Sequence, residues 1–350
     1  MPLSEPSWWY DDSRAWQAKL LSPLGWLYGC ASAKRLRASS PYRAHFPVIC
    51  IGNFTAGGTG KTPMARVIAG IVRDLGRTPV FLSRGYGGTH AGPIFVDATR
   101  HTATEVGDEP LLLVDTAPAV IARDRAAGAR LIERDAATGT VIIMDDGLQN
   151  PSLIKNLTIA VVDGQRGLGN IAVIPAGPLR APLAFQAGLV DAIVINGGSQ
   201  TPDCPGLPDL LRSFSSPLFA ARTQVTADAP LLSGVKVVAY AGIANPERFF
   251  RTLASQGAIL CERIALRDHH AFTAADCERL LASATTHDAR LITTEKDFAR
   301  LVGRPEPALQ QLRASSQALA IELVLADRDL FELRELIAKA IAPAARAKRT

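Results

Sequence analysis

The sequence predicts a doubly wound α/β fold, because short, continuously apolar runs alternate with helical stretches from Pro47 onwards. Runs of this kind are typical of parallel strands that are covered by helices on both faces. The length of 350 residues fits two domains or one large α/β unit with additions. A composition of 47% hydrophobic and 20% charged residues excludes a disordered polyelectrolyte, a collagen-like chain and a coiled-coil rod.

Two groups of predicted elements divide the chain. The first group has strands at 47–52, 79–83, 119–122, 141–146, 157–163 and 192–196, with helices at 61–75 and 124–136. The second group has strands at 236–242, 290–294 and 318–324, with helices near 246–255, 274–284 and 329–340. A Pro-, Ser- and Asp-rich interval at 197–217, or its continuation through Pro230, separates the groups. We therefore predict an N-terminal segment 1–45, a core 46–215 and a smaller α/β domain 216–350.

The basic residues are concentrated at the two ends of the chain. Of the formal net charge of +5, residues 1–45 carry +3, the last ten residues carry +3 and the remainder carries −1. The near-neutral body argues against a nucleic-acid groove, whereas basic ends fit either attachment to anionic lipid or solvated tails. Five cysteines without metal-ligand spacing predict a reducing compartment and no structural zinc site.

The N-terminal segment predicts an amphipathic helix that associates with a membrane. All four tryptophans lie in the first 26 residues, and indole rings favour the headgroup boundary of a bilayer. Large apolar side chains recur at helical spacing and a basic cluster follows them: Trp16, Leu20, Leu24 and Leu27, then Lys34, Arg35 and Arg37. Packing of the apolar face on the domain is an equal alternative from the pattern alone.

Pro23, preceded by Ser22, predicts that a second helical piece starts there. The uncharged stretch between Lys19 and Lys34 contains 14 residues, which is too short for a spanning helix. The first residues carry an acidic pair and no early positive charge, so neither a transmembrane helix nor a signal peptide is predicted.

A glycine-rich loop after the first strand predicts a P-loop NTPase-type site. The string GGTGKT at 57–62 follows the strand 48–51 and precedes a helix from Pro63. Its backbone N–H groups suit phosphate oxygens, Lys61 suits the β- and γ-phosphates, and the Thr62 hydroxyl suits Mg²⁺. The predicted cofactor-binding residues are Thr55, Ala56, Gly57, Gly58, Thr59, Gly60, Lys61 and Thr62. A glycine-rich turn without nucleotide is the alternative, since Thr55 replaces the first glycine of the strict pattern.

Two acids, Asp145 and Asp146, end the apolar strand 141–146 as in a Walker B motif. Mg²⁺ requires carboxylate ligands or carboxylate-held water, so we predict Asp145 in the metal shell with Asp146 as support. Either acid could instead cap the following turn. The string TEKD at 294–297 lacks the spacer of a guanine-reading motif, which leaves ATP as the predicted nucleotide.

Seven strings, in order over nearly the whole chain, resemble the tetraacyldisaccharide 4′-kinase family, the lipid A 4′-kinases of Gram-negative bacteria. They are NFTAGGTGKTP at 53–63, SRGYGG at 83–88, GDEP at 107–110, DDGLQ at 145–149, PAGPLR at 175–180, DHHAF at 268–272 and TTEKD at 293–297. Each string alone is weak evidence, whereas seven in register are very specific. Ser or Thr is usual in that family at the place of Thr55, and Phe is commoner at the place of Leu148.

The resemblance implies ATP-dependent phosphorylation of the 4′-hydroxyl of a tetraacyldisaccharide 1-phosphate, the step that forms lipid IVA, at the cytoplasmic face of the inner membrane. It implies Asp108 as the catalytic base and His269 as its partner, with Asp268 behind. It also implies that the N-terminal segment reaches the lipid. Read alone, Asp108 would cap a helix and His269 would lie in a surface loop. A peripheral or monotopic protein without nucleic acid or an obligate protein partner is expected.

The remaining predicted site residues each have a simpler alternative. Glu109 either joins the metal shell or is a first-turn helix charge. The cations Arg84, Arg123 and Arg180 suit a substrate phosphate or transition-state charge, although Arg123 also fits a surface ion pair. Gln149 either positions substrate or ends a turn.

Two other classes of protein share some of these features. A regulatory or maturation ATPase would have the same loop and paired acids, and protein-stimulated, lipid-independent ATP turnover would favour it. A non-catalytic membrane scaffold would have the tryptophan-rich helix, but it would not need the intact pair Lys61 and Thr62.

Overall fold

The computed structural model describes residues 5–10, 15–37, 40–197, 214 and 216–342. The predicted basic tail at the C-terminus and most of the predicted interval 197–217 lie outside these residues. The described strands, in chain order, are β1 (Val48–Gly52), β2 (Thr78–Ser83), β3 (Ile94–Phe95), β4 (Ala119–Ile121), β5 (Thr140–Met144), β6 (Leu157–Asp163), β7 (Ala192–Asn196), β8 (Leu218–Val225), β9 (Lys236–Ala241), β10 (Ile259–Ala265), β11 (Arg290–Thr294), β12 (Ser316–Leu319) and β13 (Ile321–Leu325).

The described helices follow the same chain order. They are α1 (Trp16–Arg37), α2 (Lys61–Asp74), α3 (Ala103–Val106), α4 (Asp108–Val114), α5 (Arg125–Asp135), α6 (Leu183–Ala187), α7 (Pro246–Ser255), α8 (Ala274–His287), α9 (Glu295–Ala299), α10 (Pro307–Ser315) and α11 (Asp327–Ile341). A 3₁₀ turn at Ser7–Trp9 precedes them.

The larger sheet has the strand order β13-β8-β7-β6-β1-β5-β2-β4-β3. Its seven central strands are parallel, and the two edge strands are antiparallel to their neighbours. Helices cover both faces of the sheet. Alternate residues of each strand point to opposite faces, so each strand packs against helices on both sides. In β1, Ile49 and Ile51 pack with α2, whereas Val48 and Cys50 pack with α5. The predicted doubly wound sheet is confirmed.

The smaller sheet has the order β10-β9-β11-β12 and is entirely parallel. Phe250 and Leu253 of α7 cover one face, while Leu280 of α8 and Leu312 of α10 cover the other. We call residues 236–319 the small lobe and the nine-stranded sheet with its helices the large lobe. The division of the chain at residue 215 stays a prediction, and the strands β8 and β13, which follow it, belong to the larger sheet.

The predicted strand at 318–324 is corrected by the structure. The run divides at Ala320 into β12, which pairs with β11, and β13, which pairs with β8. One apolar run therefore supplies an edge strand to each of the two sheets. Continuous hydrophobicity indicates strand structure correctly, but it carries no information about a change of pairing partner.

The predicted helix break at Pro23 is also wrong, since α1 is continuous and contains Pro23. Proline removes the N–H group that would bond to the carbonyl of Lys19, four residues earlier. The Ser22 hydroxyl donates to that carbonyl at 2.9 Å and satisfies it. The cost of the missing backbone hydrogen bond is thereby reduced.

Helix α1 contacts the large lobe through its small residues. Ala18, Gly25 and Gly29 are buried, and Gly25 and Gly29 approach Val173 and Pro182 closely. The predicted apolar face points away: Trp16, Leu20, Leu24 and Leu27 are between 54% and 68% exposed, and Trp26 is 68% exposed. Trp9 differs from these side chains, because it is buried and donates from Nε1 to the Pro175 carbonyl. No helix within the described residues is long and apolar enough to cross a bilayer.

Adding a methyl group at Gly25 should loosen the contact between α1 and the large lobe. A Cβ there would lie 2.6 Å from the Val173 carbonyl oxygen, whereas a Cβ at Gly70 in α2 would meet nothing within 4 Å. We expect Gly25→Ala to increase amide hydrogen exchange across α1 and Gly70→Ala to raise the free energy of unfolding by about 0.5–1 kcal/mol. Unaltered exchange in Gly25→Ala would show that the glycine contact does not hold α1.

Candidate active site

The candidate active site lies where the parallel strands of the large lobe end. The glycine-rich loop follows β1, Asp145 and Asp146 follow β5, Arg84 follows β2 and Arg123 follows β4. The carboxyl ends of parallel strands share one edge of the sheet, which is where open α/β sheets bind ligands. The sheet order β1-β5-β2-β4 therefore places these segments next to one another.

The loop from Asn53 to Thr62 has the backbone geometry of an anion cradle. Gly57 and Gly60 have φ values of 90° and 99°, which side-chain-bearing residues rarely adopt. Gly60 also caps α2 at its N-terminus, and a Cβ there would collide with Asn196 Nδ2. Asn53 spans the loop by donating from Nδ2 to the Gly57 carbonyl at 3.1 Å.

The segment around Arg180 supports the first half of the loop. Ala56 N donates to the Pro178 carbonyl at 2.8 Å, and Arg180 N donates to the Phe54 carbonyl at 2.9 Å. Thr55 forms an antiparallel bridge with Leu179 and does not adopt a positive φ. The backbone therefore does not require glycine at Thr55, which explains the departure from the strict loop pattern.

Gln149 braces the loop from its other side. Its Nε2 donates to the Asn53 carbonyl and to Gln186 Oε1, both at 2.8 Å, and its Oε1 accepts from Arg180 at 3.3 Å. Gln186 is fully buried and donates to the Phe54 carbonyl. These bonds describe a supporting side chain, so its predicted contact with substrate has no additional support.

Asp146 lies between two cations. Arg180 Nη1 donates to both of its oxygens at 2.8 and 3.1 Å, and Lys61 Nζ lies 3.6 Å from Oδ1. Burial opposes the charge on Asp146, but Lys61 and Arg180 outweigh it and lower the pKa of this carboxyl well below its usual range. The residue has a left-handed φ of 50°, a strained conformation of the kind found at functional sites.

Asp145 has the opposite environment. It is 1% exposed, and neither carboxylate oxygen has a hydrogen-bond partner. Burial raises its pKa to about 7, Glu109 adds to the shift and Lys61 opposes it. A buried carboxylate without partners is unfavourable, and a bound cation would relieve that cost. Thr62, another of the predicted metal ligands, is also buried.

The residues at this place fit a magnesium ion that is bound together with nucleotide. Across the described part of the chain, no group of three or more His, Cys, Asp or Glu side chains is arranged to hold a metal ion by itself. Mg²⁺ commonly binds through one or two protein groups, with phosphate oxygens and water as its other ligands. The unpartnered oxygens of Asp145 suit this role, whereas Asp146 is already paired with Arg180.

A second cluster joins the two lobes at Asp108. His269 Nδ1 lies 3.2 Å from Asp108 Oδ2, and His269 Nε2 lies 4.0 Å from Asp268. His269 has a left-handed φ of 55°, and its ring lies 5.0 Å from that of Tyr86. Burial opposes ionisation of both groups, yet their hydrogen bond raises the pKa of His269 and contributes to lowering that of Asp108. The predicted pair is therefore in contact.

The neighbouring acid Glu109 is paired with a cation of the small lobe. Lys296 Nζ donates to its Oε1 at 2.6 Å. Burial disfavours the charge on Lys296, but Glu109 and Asp108 raise its pKa above the usual range. Glu109 also acts electrostatically on Asp145, which links this cluster to the first.

The three predicted substrate-binding arginines have different surroundings. Arg180 is held on Asp146. Arg84 is exposed, and Arg123 is exposed with one bond to the Gly88 carbonyl at 3.3 Å. Arg84 and Arg123 therefore present their guanidinium groups to solvent at the edge of the sheet.

Sequence reasoning missed several residues of the site. Arg125 is 2% exposed, and burial lowers its pKa to about 10 while Asp146 and Asp145 oppose the shift. Arg300 contacts Asp108 directly, and Asn196 donates to the Thr59 carbonyl at 3.0 Å. The only local signal for Arg125 is its position at a helix start just after a strand, which Arg123 nearly shares. Arg300 lies 192 positions from Asp108 in the sequence, and no local pattern relates the two.

Comparisons with known proteins agree on one family. The family model described as "LpxK: Tetraacyldisaccharide-1-P 4'-kinase" matches residues 17–341. A tetraacyldisaccharide 4′-kinase of Methylorubrum extorquens is 47% identical over 318 residues, covering 89% of this chain and 94% of the relative. One of a Bradyrhizobium species is 42% identical over 348 residues, covering 98% and 96%.

The fold also matches a solved structure. LpxK from Aquifex aeolicus, crystallised in complex with ATP, aligns with a TM-score of 0.69 and 24% sequence identity, covering 93% of this chain and 99% of that one. At this identity the match supports the two-lobed fold.

Replacement of Asp145 by Asn should stabilise the metal-free protein. A raised pKa in the folded state means that folding favours the protonated acid, so stability is complete below the unfolded value of 3.8 and is lost as pH rises through about 7. With chelator and without nucleotide, we expect Asp145→Asn to gain about 2 kcal/mol in urea unfolding at about pH 8. The gain should shrink by about 1 kcal/mol at about pH 6.

Asp146→Asn is the matched control and should destabilise, because it removes the ion-paired carboxylate from Arg180 and Lys61. A loss of stability in Asp145→Asn at the higher pH would contradict the unfavourable burial of Asp145.

Proposed function

This chain belongs to the tetraacyldisaccharide-1-P 4′-kinase family, and on that basis we infer how its site performs the family's reaction. It is an ATP-dependent kinase that transfers the γ-phosphate of ATP to the 4′-hydroxyl of a tetraacyldisaccharide 1-phosphate in lipid A biosynthesis. The observation that carries the inference is that Lys61, the adjacent acids at 145–146 and the pair of Asp108 with His269 meet at one edge of the sheet.

The glycine-rich loop holds the triphosphate. The backbone N–H groups of residues 55–60 and the N-terminus of α2 favour negative charge, and Lys61 supplies a full positive charge to the β- and γ-phosphates. Asp146, which is itself paired with Arg180, holds Lys61 in place through its ion pair. The hydrogen bonds of Gln149 and the bridge between Thr55 and Leu179 keep the loop in this shape before nucleotide binds.

Thr62 and Asp145 would hold Mg²⁺ in this site. Bound there, the ion would neutralise negative charge on the triphosphate. Asp145 suits it because its buried oxygens have no other partner. Glu109 lies close enough to affect Asp145 electrostatically, but Lys296 holds its carboxylate. We therefore propose Glu109 as a group near the metal shell rather than as a direct ligand.

Asp108 accepts the proton of the 4′-hydroxyl. The carboxylate is kept ionised although it is only 3% exposed. His269 orients it through the 3.2 Å contact and stabilises the proton that it receives, with Asp268 on the far side of the imidazole. The proton thus has a defined acceptor while the γ-phosphate transfers to the sugar oxygen.

The lipid substrate approaches from a membrane surface. Arg84 and Arg123 are proposed to bind its 1-phosphate, since both are exposed at the strand ends next to the site. The outward apolar face of α1 inserts into the interface of the inner membrane on its cytoplasmic side, and the basic cluster at the end of α1 contacts anionic lipid. In this proposal the enzyme is a peripheral or monotopic membrane protein.

Substitutions at Lys61 and Asp108 should separate nucleotide binding from chemistry. In an assay with γ-labelled ATP and a tetraacyldisaccharide 1-phosphate in detergent, we expect Lys61→Ala to lower kcat/KM about 10²- to 10³-fold and to weaken ATP binding. Asp108→Asn should lower kcat about 10²- to 10⁴-fold with ATP affinity retained. The exposed Arg73→Ala on the same helix as Lys61 is the control and should behave as wild type. Near-normal turnover in Lys61→Ala or Asp108→Asn would remove the role given to that residue.

The membrane role of α1 is testable with vesicles of phosphatidylethanolamine and phosphatidylglycerol. We expect the combined change Trp16→Ser, Leu20→Ser and Trp26→Ser to reduce vesicle binding about 100-fold or more, because each side chain loses its apolar transfer free energy. ATP binding should be unaffected. Leu231→Ser, at an 89% exposed position elsewhere, is the control. Sedimentation with vesicles equal to that of wild type would refute the anchor.

A further inference from the structure

The segment 294–300, which begins with the string TEKD, connects the small lobe to the large lobe. Three of its charged side chains contact the large lobe. Glu295 accepts from Arg66 of α2 at 2.9 Å, Lys296 donates to Glu109 at 2.6 Å, and Arg300 donates to Asp108. The adjacent acids that begin α4 are thus both held by cations from one short segment of the other lobe.

Hydrogen bonds within the small lobe hold the Arg300 guanidinium, in addition to its contact with Asp108. Its Nη1 donates to Asp297 Oδ1 at 2.6 Å and to the Gly242 carbonyl at 2.8 Å. Asp297 is fully buried, and its Oδ2 accepts from Gly242 N at 2.9 Å and from Thr294 Oγ1 at 2.6 Å. The Arg300 side chain is itself only 9% exposed. These contacts leave the guanidinium little freedom to move relative to the small lobe.

The edge of the Arg300 guanidinium that carries Nε and Nη2 binds a single oxygen of Asp108. Nε donates to Oδ2 at 2.8 Å, and Nη2 donates to the same atom. His269 Nδ1 lies 3.2 Å from that oxygen and 3.4 Å from Arg300 Nη2. The other oxygen, Oδ1, accepts from the adjacent Glu109 N at 2.8 Å.

We propose that Arg300 is a positioning residue that fixes the orientation of the Asp108 carboxylate relative to His269 and so couples docking of segment 294–300 to assembly of the proton-accepting pair. The proposal rests on the proposed function, in which Asp108 accepts the proton of the sugar hydroxyl. The rigid planar fork of a guanidinium is suited to this task, because two N–H groups at fixed spacing define the direction of the bound oxygen.

Two of the other cross-lobe pairs explain why the role of Arg300 is specific. Without Arg300, the lobes retain the pair of Arg66 with Glu295 and the pair of Lys296 with Glu109. The Asp108 side chain would keep only His269 and the adjacent backbone N–H, and it would be free to turn away from the imidazole. Loss of Arg300 should therefore affect the chemical step more than nucleotide binding.

The test compares Arg300→Ala with Arg304→Ala in the lipid kinase assay. Arg304, four residues later, also crosses to the large lobe, where it donates to Thr104 Oγ1 at 2.7 Å, but it does not contact Asp108. We expect Arg300→Ala to lower kcat about 10- to 100-fold with the KM for ATP unchanged. Arg304→Ala should change kcat by less than about threefold. Methylguanidinium should restore kcat of Arg300→Ala, whereas methylammonium, with the same charge and no fork, should not.

A double-mutant cycle separates positioning from a general structural effect. Because Arg300 acts through Asp108, Arg300→Ala should lower kcat by less than about threefold when it is added to Asp108→Asn. Equal losses in both backgrounds would overturn the proposal, and so would wild-type kcat in Arg300→Ala. If Arg300→Ala does not purify folded, Arg300→Lys carries the test, since it retains charge without the fork and an undiminished kcat would overturn the role. Undiminished turnover of Asp108→Asn contradicts the proposed function itself and is distinct from these outcomes.

Discussion

The contact of two adjacent acids on the large lobe with two cations on the small lobe is the interaction on which the site depends. Asp108 and Glu109 begin α4, and Arg300 and Lys296 meet them from one segment of the other lobe. Asp108 is only 3% exposed, and burial by itself would raise its pKa, but His269, Arg300 and Lys296 together lower it. The same cluster places His269 Nδ1 3.2 Å from Asp108. In the proposed mechanism, docking of the lobes is therefore coupled to assembly of the pair of Asp108 with His269.

The phosphate side of the site follows a different principle. Asp146 is satisfied by Arg180 and Lys61, whereas Asp145 is buried without any partner. The two neighbouring acids thus have opposite pKa shifts. At Asp146, Lys61 and Arg180 outweigh burial, whereas at Asp145 burial and the neighbouring acids outweigh Lys61 and Lys296. Burial of Asp145 without a partner lowers the free energy of unfolding, and a cation bound there would restore it. Asp146, which has partners, supports the loop, whereas Asp145, which has no hydrogen-bond partner, is available to a ligand.

Much of this arrangement is predictable from the sequence, because local patterns encode it. The apolar runs indicate the parallel strands β1, β2 and β4–β7, and the glycine loop and paired acids are recognisable from their positions at strand ends. The predicted break at Pro23 is wrong because the Ser22 hydroxyl replaces the missing backbone donor. The partition of the run around Ala320 and the contact of Arg300 with Asp108 depend on tertiary pairing between distant segments, which no local period or spacing reveals. The sequence does not predict a role for Arg125 either, since only burial in the folded protein distinguishes it from Arg123.

In the proposed mechanism, the acceptor hydroxyl lies between Asp108 and a γ-phosphate held by Lys61. A crystal structure of this chain with a non-hydrolysable ATP analogue, Mg²⁺ and a tetraacyldisaccharide 1-phosphate measures it most directly. We expect the 4′-oxygen within about 3 Å of an Asp108 carboxylate oxygen and in line with the γ-phosphorus. A 4′-oxygen bound away from Asp108, with that carboxylate out of reach of the substrate, would contradict the proposed mechanism.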